Sequence, residues 1–262
     1  MAVTIKSERE IQLMREAGEI LAKTHEELEK ALHAGMSTYE VNKIGDEIIR
    51  SFGCVPSFLN YNGYPASICV SVNEEVVHGI PSKKRILRDG DVVSLDAGVI
   101  WKGYHSDAAR THIIGEGSEE AKALVKVTKE CFFEGIKYAI AGNHLNDICK
   151  AIGTYAKDRG YGVVRDLVGH GIGTHLHEDP EVPNFDMKRR GIKLQPGMTL
   201  AIEPMITAGR DEVVWLDDDW TVVTDDNSLA AHYENTILIT DGEPEILSLR
   251  KFYCSSWVSY VL

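Results

Sequence analysis

The chain has 262 residues, 44% of them hydrophobic and 26% charged, ordinary globular material for one large α/β domain or two small ones. A formal charge of −12, from 28 Lys+Arg against 40 Asp+Glu, excludes the basic stripe that a DNA- or RNA-binding surface needs. Five cysteines, odd in number and without a CxxC pair, exclude a disulfide framework or zinc knuckle and fit a reducing cytoplasm, while no apolar run approaches the roughly 18 residues of a membrane span.

In chain order, Ser7-x-x-Glu10 is a capping box opening a helix whose apolar face carries Ile11, Met14, Ile20, Leu21, Leu28 and Leu32 and which ends at Ala34-Gly35. A second box, Ser37-x-x-Glu40, opens a helix with Val41, Ile44, Ile48 and Phe52 inward, stopping at Gly53. Strand-like sequence follows. The programme then repeats, with Ser118-x-x-Ala121 opening a helix that Ala141-Gly142 closes, and a shorter one from about Leu145 to Asp158 ending at Gly160. An offset of 107 maps Ala34-Gly35 onto Ala141-Gly142, Gly53 onto Gly160, Leu87 onto Leu194, Gly90 onto Gly197 and Asp96 onto Glu203, which predicts an internal duplication. Two helix-helix-strand units pack most economically as one pseudo-symmetric α+β domain with a mixed, mainly antiparallel sheet, helices on one face and a site between the halves.

Asp91–Ile100 and Tyr104–Ile114 read as strands around a Lys102-Gly103 turn. A two-residue turn sets residue 107 opposite residue 98, so Asp107 faces Gly98 and Asp96 lies on the same face as its diagonal neighbour, roughly 7 Å away. Two carboxylates among Val, Leu and Ala repel and resist desolvation unless a cation compensates them; two solvated acids on an exposed face are the alternative. The second half adds Glu203, in the apolar run Leu200-Ala-Ile-Glu-Pro204, and Glu234, at the head of an apolar strand expected over His232–Thr240. Gly169-His170-Gly171-Ile172-Gly173 surrounds His170 with residues that let backbone approach a ligand closely. Four acids and one imidazole suit manganese, iron(II) or cobalt, with zinc possible. Four carboxylates also exceed what one ion needs, and two ions about 3.5 Å apart would share bridging carboxylates and turn a bridging water into hydroxide.

The strings Asn60-Tyr-Asn-Gly-Tyr-Pro65, Val76-Val-His-Gly-Ile-Pro81, Ser94-Leu-Asp-Ala-Gly98, Gly169–Gly173 and Ala201-Ile-Glu-Pro204 are long and specific. Over residues 1 to about 249 the chain resembles the bacterial type I methionine aminopeptidases, whose fold is the pita-bread fold. That resemblance implies one metallo-aminopeptidase domain that removes the initiator methionine from nascent polypeptides when the second residue is small. It assigns Asp96 and Asp107 to one metal, His170 and Glu203 to the other, and Asp107 and Glu234 as bridges. It makes His78 and His177 active-site histidines outside the ligand set, gives Glu203 a proton-shuttling role, and lines the methionine pocket with Tyr61, Tyr64, Cys69, Leu176 and Trp220. The substrate's free amine would ligate a metal. A cytoplasmic monomer is expected, with transient ribosome contact and no membrane partner.

Phe58, Asn62 and Leu176 depart from the family's commoner Cys, His and Phe, which bears on pocket shape rather than chemistry. The segment 250–262 falls outside the family pattern and is expected to be an added strand or an apolar tail. Aminopeptidase P and prolidase share the ligand pattern but resemble longer proteins with an extra N-terminal domain. A catalytically silent binding protein of the same fold would show eroded ligands or a basic surface.

Overall fold

Helices form where the capping signals put them in the computed structural model, which describes residues 3–250; residues 251–262, nearly all of the terminal segment set apart above, lie outside the described residues. Helix α1 (Glu8–Ala31) begins with the Glu10 carboxylate accepting the Ser7 N–H at 2.7 Å, and α2 (Thr38–Ser51) begins with the reciprocal pair Ser37 N–H to Glu40 Oε2, 2.8 Å, and Glu40 N–H to Ser37 Oγ, 3.2 Å. Helix α3 (Glu119–Ile136) begins with the Ala121 N–H donated to Ser118 Oγ at 3.1 Å and no reciprocal acid, and α4 (Leu145–Lys157) with the His144 N–H donated to Asp147 Oδ2 at 2.8 Å. Helix α3 stops short of the Ala141-Gly142 signal. Its last turn unwinds through Tyr138 N–H to Gly135 O and Ala139 N–H to Ile136 O, both 3.0 Å, and Ala139 is drawn into the core.

The buried stripe of α2 also differs from the expected one. Val41, Gly45 and Ile49 are buried, while Ile44, Ile48 and Phe52 are only partly so. Gly45 is the reason: a Cβ there would stand 3.0 Å from Ile68 Cδ1, so the helix sits down on the sheet along the line of its glycine.

Contacts in the two halves recur at the offset of 107. Gly35 N–H donates to Leu87 O (2.8 Å) and Leu87 N–H to Met36 O (2.8 Å); Gly142 N–H donates to Leu194 O (3.0 Å) and Leu194 N–H to Asn143 O (2.8 Å). Both glycines occupy the left-handed region, at φ +92° and +96°. Each half has its own core, α1 and α2 over one and α3 and α4 over the other, and a third cluster containing Met14, Phe58, Tyr64, Ile172 and Leu176 lies between them.

Every pairing between the described strands is antiparallel, and they form four small sheets rather than one. The hairpin Val92–Trp101 with Tyr104–Ile113 keeps perfect register from Val92↔Ile113 to Trp101↔Tyr104, with Gly98↔Asp107 as expected. In the second half, Thr199–Ile202 pairs with Asn235–Leu238, and Met205–Thr207 pairs with Ala230–His232 in a different sheet. The expected strand over His232–Thr240 is thus two strands. Asn235↔Ile202 and His232↔Met205 are in the same register, so Glu203 and Glu234 fall opposite one another in the gap where the two sheets part. Among the described residues no helix is long and apolar enough to cross a membrane.

Candidate metal centre and substrate cavity

Asp96 and Asp107 reach the centre from the hairpin. Gly98 separates them because nothing larger fits: a Cβ would come within 2.7 Å of Ser57 Cβ and 2.9 Å of Phe58 Cε1. Glu203 and Glu234 enter from the strand gap and His170 from the short strand Gly169–Gly171, where a Cβ on Gly169 or Gly171 would strike backbone of Ala201 or Asp179. One ligand atom each from Asp107, His170 and Glu234 lies within 4.8 Å of the others. His170 Nε2 also stands 3.9 Å from Asp107 Oδ2 and 3.7 Å from Glu203 Oε1. His170 Nδ1 is 2.8 Å from the Gly171 carbonyl, which can only accept, so the proton sits on Nδ1 and the Nε2 lone pair faces the acids.

Among the described residues no lysine or arginine forms an ion pair with these carboxylates, and the Arg110 guanidinium beside them donates to the Glu234 backbone carbonyl instead. Asp96 Oδ1, Asp107 Oδ1 and Glu234 Oε1 are buried atoms with no hydrogen-bond partner. Burial pushes the Asp96 carboxyl up to about 7 and the Glu203 carboxyl up to about 8, and burial together with neighbouring acids holds Asp107 and Glu234 well above the usual carboxylate range. Burial lowers His170 to about 3, so it is a neutral, lone-pair-bearing imidazole. Orphaned carboxylate oxygens beside a neutral imidazole are the donor set of a divalent cation, and these residues fit one.

Above the acids opens a cavity of about 160 Å³ lined by Tyr61, Tyr64, Cys69, His78, Leu176, His177 and Trp220, together with Phe58 and Asn62. All twelve residues named from the sequence as ligands, active-site histidines or pocket walls therefore meet in one place. Tyr64 is buried, with its hydroxyl donating to Gly79 O at 3.0 Å, and its ring meets Trp220 edge-on at 5.0 Å. His177 stands at the mouth, its Nδ1 hydrogen-bonded to the Tyr61 hydroxyl at 2.6 Å and its ring 4.2 Å from that of His170. His78 adopts φ +59°, uncommon for a residue with a Cβ, and burial lowers its imidazole to about 4.

The model of metallopeptidase family M24 matches residues 12–241. The chain is 55% identical to a methionine aminopeptidase of Clostridium acetobutylicum over 94% of its own length and 99% of that protein, and 51% identical to one of Clostridium perfringens over 95% and 100%. The crystal structure of methionine aminopeptidase from Thermotoga maritima superposes with a TM-score of 0.93 at 43% identity, covering 95% of this chain and all of that one. The chain belongs to the methionine aminopeptidases of metallopeptidase family M24.

Some residues of this methionine aminopeptidase centre gave no sign in the sequence. His232 is buried, with Nε2 3.5 Å from Glu203 Oε2 and neither ring nitrogen hydrogen-bonded; its place in an alternating strand gave only a weak signal. Thr236 holds the backbone of Asp107, and Arg110 reaches the Glu234 carbonyl and, at 2.6 Å, Asn235 Oδ1. These are contacts across more than 120 residues, and no local pattern announces them.

Proposed function

We propose that this chain, a methionine aminopeptidase, removes the initiator methionine from nascent polypeptides through two divalent ions held by Asp96, Asp107, His170, Glu203 and Glu234. The observation that carries this reading is the convergence of three buried carboxylates, the partly buried Glu203 and the His170 lone pair on the floor of an aromatic-walled cavity. Asp96 and Asp107 would hold one ion, His170 and Glu203 would help hold the other, and Asp107 and Glu234 would serve both. Cobalt, manganese, iron(II) or zinc would supply Lewis acidity and an activated water there.

The chain's own residues do the rest. Tyr61, Tyr64, Cys69, Leu176 and Trp220 enclose the methionine side chain, a flexible thioether suited to apolar and aromatic walls. The free amine of the first residue is recognised at the acid cluster, which makes the reaction an exopeptidase one. His177, at the mouth, donates to the scissile carbonyl oxygen as charge develops on it. His78 places the amide of the second residue, and the narrow space beside it favours a small side chain. Glu203 carries a proton to the leaving amine. Phe58, Asn62 and Leu176 set the pocket's own dimensions. We further read residues 1–249 as one domain built from a duplicated unit, acting in the cytoplasm as a monomer with transient ribosome contact.

The decisive experiment compares Met-Ala, N-acetyl-Met-Ala and Ala-Pro peptides with chelator-treated protein to which each metal is returned. Release of methionine from the first alone is expected. Equal cleavage of the acetylated peptide would remove the aminopeptidase mechanism, and preference for Ala-Pro would place the chain with the proline-specific relatives.

A further inference from the structure

The segment ahead of α1 crosses to the other half of the molecule. Lys6 N–H donates to Gly197 O at 2.8 Å, and the Lys6 side chain turns inward, 5% exposed, to set Nζ 2.7 Å from Glu178 Oε2. The Glu178 side chain is 6% exposed and follows His177 directly in sequence. Thr4 Oγ1 donates to the same carboxylate oxygen at 2.7 Å, and Lys6 Nζ also reaches Thr4 Oγ1. The other oxygen, Oε1, accepts the His175 N–H at 3.2 Å. Burial would raise the Glu178 carboxyl, yet the hydrogen bonds from Lys6, Thr4 and His175 bring it below its usual value.

The loop between Gly173 and Glu178, which carries Leu176 and His177, is therefore pinned at both ends. At its start Gly173 O accepts the His105 N–H at 2.8 Å, and at its end Glu178 is gripped by the N-terminal segment. Gly173 lies directly under this pair, since a Cβ there would be 2.5 Å from both Glu178 Oε1 and Lys6 Cε. A buried pair of this kind adds little net stability over an apolar substitute, but removing one partner strands the other charge. A stranded Glu178 regains water most directly by swinging outward, and the part of the chain that swings is the loop bearing His177.

We propose that Lys6, acting through Glu178, is a positioning residue for His177, so that the segment preceding the first helix is part of the catalytic architecture. This rests on the substrate-facing role given to His177 above. The test uses full-length Lys6→Met, Glu178→Gln and the double variant, read by hydrogen–deuterium exchange of residues 174–178, metal content, and kcat and KM on a Met-Ala peptide.

In Lys6→Met the loop amides should exchange at least about tenfold faster. Its kcat should fall by up to about 10²-fold with KM little changed and metal content intact. The double variant strands no charge and should recover loop protection and most of kcat. If Lys6→Met does not fold, Glu178→Gln carries the test, because it strands the buried Lys6 charge instead, and Lys6 leaves for solvent together with the segment that grips the loop. Unchanged loop exchange in the single variants, faster exchange with undiminished kcat, or a double variant no better than Lys6→Met would each overturn the proposal. His177→Ala with full activity would instead overturn the role of His177 itself, a result the loop exchange does not depend on.

Discussion

Thr236 grips Asp107 by both of its backbone groups, accepting the Asp107 N–H at 2.9 Å and donating to the Asp107 carbonyl at 2.9 Å. The acid belongs to the first-half hairpin and the threonine to the second-half strand Asn235–Leu238, so one hydroxyl sets how the halves meet at the metal centre. Thr236→Val keeps the shape and leaves a buried N–H and C=O unpaired, which should cost about 1–3 kcal/mol for each group. Metal affinity should fall by about 10–100-fold as well. Urea unfolding and metal titration read the two effects; Thr236→Ser should restore most of both.

Asp107→Asn should weaken both metal sites together, because its carboxylate is assigned to both ions. Titration calorimetry on the chelated variant should find neither equivalent bound at wild-type affinity. Two tightly bound equivalents with normal turnover would remove Asp107 from its bridging place.

The two non-ligand histidines should separate turnover from metal binding. His177→Ala is expected to lower kcat by about 10²–10³-fold, as for the loss of one oxyanion donor, with metal content unchanged. Tyr61→Phe, which frees His177 Nδ1 from its 2.6 Å partner, should cause a smaller loss in the same direction. His78→Ala should slow turnover through poorer placement of the second residue. Loss of a metal equivalent from either histidine variant would make that histidine a ligand.

Gly171→Ala tests the close approach behind His170. The added Cβ would lie 2.1 Å from Asp179 O and 2.7 Å from Asp179 C, both backbone, so the strand pair must separate. A loss of about 1–3 kcal/mol is expected from the forced shift, with weaker metal binding because His170 moves with the strand. Wild-type stability and metal affinity would show that this contact yields more easily than its geometry implies.

Stripped of metal, the protein should lose stability between pH 6.5 and 8. Asp96 and Glu203 sit at about 7 and about 8 in the fold, against about 3.9 and 4.3 in the unfolded chain. Across that interval the folded state binds more protons, so unfolding free energy falls with rising pH. The contribution is complete below about pH 4 and gone above about pH 8. Buried His78 and His232, each lowered to about 4, act in the opposite sense, but only below their ordinary 6.5. Chelated protein should therefore show a lower urea midpoint at pH 8 than at pH 6.5, and saturating manganese should reverse the order. A higher midpoint at pH 8 without metal would contradict the buried, protonated acids.

The helix starts, the hairpin register and the Asp96–Gly98–Asp107 arrangement were legible because each depends on residues a few positions apart: a capping pair, a two-residue turn, the alternation of a strand. Glu203 and Glu234 were visible as acids in apolar runs, and it was the family resemblance, not any local pattern, that brought them together. Their meeting depends on two strands changing sheets at the same point, and only Pro204 hinted at that. The buried face of α2 was misjudged because Gly45 counts as nothing in an apolar pattern, whereas in the packed fold it decides which side of the helix can approach Ile68. His232, Thr236 and the Lys6–Glu178 pair were hidden because polar residues disclose their burial only through distant partners.

The gap in the ladders at Glu203 and Glu234 has a mechanical side. The two ladders break there, and across the opening the strands are tied by the Tyr233 N–H to Pro204 O bond at 3.2 Å, so the acids sit on a seam more sparsely bonded than the ladders on either side. A cation bound on that seam would work as a rivet. By joining Asp107 to Glu234 it would close a chain loop of about half the sequence and hold the seam, stabilising the folded state that binds it. The two halves should then melt as one unit when loaded and more independently when empty, so that filling the catalytic centre also sets how cooperatively the whole molecule unfolds.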